Sequence, residues 1–137
     1  MTSQEFGQLG ELHVMRILSE AGILTHWGGV SDLLAGGVPV EVKAARQTEY
    51  SKGKRGYRFC LCSPGRKGFQ GDVLVLLCYW NMNQPPGVFV IPAHDVGRRR
   101  SITIPGQPWT YGGKWSGFYD DWGALADAIG QQQEGVL

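Results

Sequence analysis

Along residues 3 to 22 the apolar positions Val14, Ile17, Leu18 and Ala21 recur at helical spacing, which predicts an amphipathic helix. Thr2 and Glu5 have the separation of a capping box, and Gly22 is a fitting stop. Gly7 and Gly10 fall in the middle of the apolar stripe. Glycine weakens a helix there, so a close approach by a neighbouring element is expected at both. Glu11 projects about 60° from Val14 at ~100° per residue, on the margin of the buried face.

Beyond Gly22 the pattern turns to period two. Short strands are expected at 23–27 and 31–35, a hairpin turn at Gly36-Gly37, and a returning strand at 38–45. In that strand Val38, Val40 and Val42 share one face, while Pro39, Glu41 and Lys43 share the other. The hairpin brings the second face back beside Asp32. Residues 46–56 (RQTEYSKGKRG) are polar and punctuated by glycine, and read as a mobile loop. YRFCLC, 57–62, alternates as a strand, and SPGRKGFQG reads as a second basic loop. DVLVLLCYW, 72–80, is continuously apolar, as a central strand buried on both faces would be. VFVIP, 88–92, is a further strand, and 93–100 holds a short helical turn. Residues 101–118 are rich in Gly, Pro and aromatics. Asp120 or Asp121 is expected to cap a last helix ending at Ile129, with Gly130 as its stop. Helix, several strands and short helices make a single α/β (α+β) domain over residues 1–137 with a mixed sheet.

The chain has 137 residues, 42% of them hydrophobic and 18% charged, enough for a core without disulfide or metal staples. No apolar run approaches the ~18 residues of a membrane span, and the N-terminus lacks a secretory pattern. Cys60, Cys62 and Cys78 are odd in number and poorly spaced for zinc. Buried free thiols in a reducing cytoplasm are expected. The net charge of +1 hides an asymmetry. Residues 41–67 carry eight basic side chains against Glu41 and Glu49, Arg98-Arg99-Arg100 adds three, and the last twenty residues carry four acids and no base. Such a belt on a nearly neutral chain suggests a local polyanion site, or else a solvated surface.

Asp32 and Glu41, converging from neighbouring strands, repel unless a cation lies between them. Their oxygens suit Mg²⁺ or Mn²⁺, which leave coordination positions for water and phosphate. Lys43, on the face of Glu41, can position an activated water or neutralise transition-state charge. Glu11 can reach the same point from the helix margin. Arg46, Lys52, Lys54, Arg55, Arg66 and Lys67 are the candidate phosphate contacts. Tyr50 and Tyr57 interleave with them and are candidates for stacking on bases. His26 is a candidate for acid–base work beside the site. The Trp109–Phe118 segment is either a partner surface or packing beneath a loop.

The helix GQLGELHVMRILSEAG, SDLL and VEVKAA together resemble the PD-(D/E)xK nuclease superfamily, which has a restriction-endonuclease-like fold. The later strands resemble its small Holliday junction resolvase-like and intron-homing members. Ser31 stands where the family pattern has Pro. The resemblance implies that Asp32 and Glu41 hold Mg²⁺ (or Mn²⁺), with the Val42 backbone carbonyl as a further ligand. It makes Lys43 the catalytic Lys and Glu11 the helix Glu of resolvase-like members, a possible additional ligand. The expectation is a metal-dependent DNA endonuclease, junction-resolving or homing/restriction-type, acting as a homodimer. The rival expectation is a non-catalytic nucleic-acid-binding or assembly module on the same fold, and an RNA-directed nuclease is a third.

Overall fold

The computed structural model describes residues 1–28, 32–61 and 71–136. Ser31, Cys62, Arg66 and Lys67 lie outside these, as does the SPGRKGFQG loop up to Gln70. The chain begins with α1 (Ser3–Glu20), whose Thr2–Glu5 capping box forms in both directions. At its other end the Gly22 amide bonds Ser19 and the Ile23 amide bonds Leu18, with Gly22 at φ +81°. This is a Schellman closure, and Ile23 packs into the same core as Leu18.

A five-stranded sheet follows, made of β1 (Thr25–Trp27), β2 (Leu33–Ala35), β3 (Val38–Arg46), β6 (Val73–Tyr79) and β7 (Gly87–Pro92), in that spatial order. Only the central β3–β6 pair is parallel, so the sheet is mixed. Gly36 and Gly37 close the β2–β3 hairpin with φ +55° and +85°, the two positive values that a two-residue primed turn needs. A second, antiparallel sheet is built from β4 (Thr48–Ser51), β5 (Lys54–Cys60) and β8 (Ser101–Pro105). A short α2 (Ala93–Val96) follows β7, and α3 (Gly123–Val136) ends the chain. The result is a single α+β domain around a central mixed sheet.

Two cores flank that sheet. Val38, Val40, Val42, Val73, Val75 and Leu77 pack against Val14 and Leu18 of α1 and Leu125 of α3. On the opposite face Leu74, Leu76, Cys78, Phe89 and Ile91 meet Tyr57, Phe59, Ile102 and Ile104 of the second sheet. Every residue of β6 is buried, which is why its sequence is continuously apolar.

Several expectations are corrected. Residues 46–56 are not a loop: most of them form the β4–β5 hairpin, whose exposed side chains carry the polarity. Residues 101–105 form a strand. Helix α3 runs through Gly130 to Val136. Gly10 does accommodate a close approach, since a Cβ there would lie 3.0 Å from Leu77 Cδ1 and 3.2 Å from Ala44 Cβ, but Gly7 has open space around it. Cys60 is exposed, and only Cys78 of the described cysteines is buried.

Candidate active site

The site grows from the β2–β3 hairpin. Leu33 stands opposite Val40 in the antiparallel register, and continuing the register by one residue sets Asp32 opposite Glu41. There the backbone ladder gives way to a side chain: Asp32 Oδ2 accepts the Val42 N–H at 2.8 Å. That bond fixes one carboxylate oxygen at the middle of β3 and leaves Oδ1 as a further acceptor.

Glu41 follows the expected alternation, facing away from the valine core. It is only 5% exposed, a carboxylate carried nearly out of solvent. A carboxyl group at that depth loses its hydration when ionised, so its charged form requires a positive group or hydrogen-bond donors in the same space. Lys43 lies two residues on, on the same strand face, half-buried and in register with Leu76 of β6. A rigid central strand therefore carries both residues, with their spacing set by the pleat.

Glu11 is half-buried on α1. Burial holds its carboxyl above the usual carboxylate range, and the negative charge of Asp32 adds to the effect. That coupling brings the helix acid and the strand-entry acid into one electrostatic neighbourhood. Among the described residues, however, no three His, Cys, Asp or Glu side chains form a group able to hold a metal ion. Glu11 thus lies in the neighbourhood of Asp32 and completes no three-carboxylate cage among the described residues. The donor chemistry still fits a hard divalent ion. Two carboxyl groups at facing positions of the β2–β3 hairpin match the habit of Mg²⁺, which takes one or two protein carboxylates and keeps its waters.

The basic belt divides. Arg46, Lys52, Lys54 and Arg55 are exposed, and Arg46 lies over the Phe6 ring at 4.8 Å. Arg66 and Lys67 lie outside the described residues. Tyr57 is fully buried, and its hydroxyl donates to Gln107 Oε1 at 3.0 Å, so it has no face for a base. His26 is exposed on β1. The aromatic segment splits as well. Trp115 is buried in the second core, whereas Trp109 is 50% exposed and stands edge-on to Trp80 with ring centroids 5.3 Å apart. One exposed cation that the candidate phosphate contacts omit is Arg58, at an outward position of β5. Its signal was the alternation of YRFC, which puts Arg58 opposite in facing to Tyr57 and Phe59.

No protein-family model matches the chain, and no curated protein sequence matches it. A solved structure does. The chain is similar to a bacterial homing endonuclease, I-Ssp6803I, with a TM-score of 0.73 over 98% of each chain at 15% sequence identity. At that identity the likeness establishes a shared fold, and it spans both sheets and the helices.

Proposed function

We propose that this protein is a divalent-metal-dependent DNA endonuclease of the PD-(D/E)xK type. The observation that carries the reading is the central-strand arrangement: Asp32 bonded to the Val42 amide, the nearly buried Glu41 beside it, and Lys43 on the same face. The fold shared with a homing endonuclease supports it. Asp32 and Glu41, with the Val42 carbonyl, are the residues to hold Mg²⁺ or Mn²⁺. When bound, such an ion lowers the pKa of water and shields phosphate oxygens. The Lys43 ammonium orients the attacking water by hydrogen bonding and stabilises the negative charge that builds on the phosphorane oxygens. The water oxygen forms a new bond to phosphorus as the opposite P–O bond breaks, in line. Glu11, in the same electrostatic neighbourhood as Asp32, is a positioning residue.

Between the two substrate classes, duplex cleavage of the homing type is favoured over four-way junctions, because the structural likeness covers nearly the whole chain. Cutting both strands calls for two sites, so the active form is proposed to be a homodimer. The test is a substrate panel of linear duplex, supercoiled plasmid, four-way junction and RNA with Mg²⁺, Mn²⁺ or EDTA. Cutting of DNA that EDTA stops is expected. Binding without cutting on every substrate would assign the chain to the non-catalytic alternative.

A further inference from the structure

At the end of β3 remote from Glu41 there is an open cleft of about 340 Å³, lined by Thr2, Ser3, Phe6, Arg46, Thr48 and Arg58 together with the alanines of β3. Four elements contribute: the start of α1 with its N-cap, the end of β3, the first residue of β4 and the outward face of β5. Its charged side chains are both guanidiniums, and three hydroxyl side chains, with Met1, share the lining. Among the described residues neither Arg46 nor Arg58 is paired with a carboxylate. Arg46 is held over the Phe6 ring, which restricts its plane before any ligand arrives.

We propose that this cleft binds a backbone phosphate of the DNA, distinct from the one that is cut. Arginines supply forked donors that match phosphate oxygens, and hydroxyls commonly complete such contacts. The identity of the polyanion rests on the nuclease reading above; the cleft itself does not. Arg46 shares the Val40–Val42 face of β3, opposite to that of Glu41, and lies five residue steps along the strand from it, about 16 Å at ~3.3 Å per residue. The contact therefore sets the register of the substrate without touching the reacting phosphate, and Arg46 and Arg58 act as positioning residues.

The experiment measures binding of a fluorescent DNA duplex in EDTA, between 50 and 300 mM salt, for the intact chain and for Arg46→Gln, Arg58→Gln and Arg58→Lys. Arg16→Gln, an exposed change elsewhere on α1, is the control. Each Gln variant is expected to weaken binding about 5- to 30-fold and to make the log–log salt slope shallower by about 0.9. Arg58→Lys keeps the slope, and Arg16→Gln changes neither quantity. Affinity and slope unchanged in both Gln variants would overturn the proposal. So would weaker binding with an unchanged slope, which marks a structural role. If Arg46→Gln lowers the melting temperature by loss of the Phe6 contact, the exposed Arg58 decides alone. Cleavage in Mg²⁺ is scored separately. Arginine-dependent binding without cleavage sustains the cleft and sinks the nuclease reading, whereas cleavage with arginine-independent binding does the reverse.

Discussion

Asp32, Glu41 and Lys43 were legible as a group because strand alternation leaves few choices: once 38–45 is a strand, Glu41 and Lys43 must share a face. What the sequence does not disclose is depth. Nothing in VEVKAA tells that Glu41 is 5% exposed or that Asp32 takes the Val42 amide; both depend on where β6 and the hairpin close around them. If this pair holds the cation, Mg²⁺ at about one hundred times its dissociation constant should stabilise the fold by about 2.7 kcal/mol. Thermal melts with and without Mg²⁺ should show that gain in the intact chain and lose it in Glu41→Ala and Asp32→Ala. Tyr57 makes a separate prediction. Burial pushes its hydroxyl from 10.0 up to about 12, with Cys78 adding a smaller effect. The folded state then keeps a proton that the unfolded chain releases, so stability falls as pH rises from about 10 to about 12. Burial also raises Tyr79, Tyr119 and Cys78, so the intact chain loses stability through more than one group. Tyr57→Phe should remove on the order of 2–3 kcal/mol of that alkaline loss, read from urea unfolding at pH 9 and pH 12. It should also cost about 1 kcal/mol at neutral pH from the lost bond to Gln107.

At the level of elements, α1 and the β2–β3 hairpin announce themselves through capping and turn chemistry that act locally. The β4–β5 hairpin does not. Its outward face is solvated and charged, and β4 lies on a sheet edge, so polarity masks β4 and the first residues of β5, and the alternation of the buried Tyr57 and Phe59 discloses only the second half of that strand. Gly56 belongs to the same hairpin for a tertiary reason: a Cβ there would collide with the Ile104 carbonyl oxygen. A glycine late in a helix reads as a stop, yet α3 continues through Gly130 to Val136. The two α1 glycines separate cleanly. Gly7→Ala, with nothing within 4 Å of the new methyl, should stabilise the protein by about 0.5–1 kcal/mol through helix propensity. Gly10→Val, placed against Leu77 and Ala44, should destabilise it by about 1–3 kcal/mol by overpacking. Denaturant midpoints of the two variants test both signs together.

For the whole molecule, 15% identity with a homing endonuclease over 98% of both chains shows how little of a fold resides in particular residues. The valine stripe of β3, the wholly apolar β6 and the glycine turn are requirements of pattern, and many sequences satisfy them. Among the described residues no helix is long and apolar enough to cross a membrane. A homodimer with two sites should appear in sedimentation as a species of twice the chain mass, and it should make double-strand breaks in plasmid without a long-lived nicked intermediate. The most direct test of the proposed chemistry is the single-turnover cleavage rate of DNA in Mg²⁺ for the intact chain and for Lys43→Ala, with melting temperatures alongside. Expected is a rate that EDTA abolishes and that falls by at least about 100-fold in Lys43→Ala, with the fold intact. Cleavage that persists in EDTA, or that proceeds at the same rate without Lys43, would contradict it.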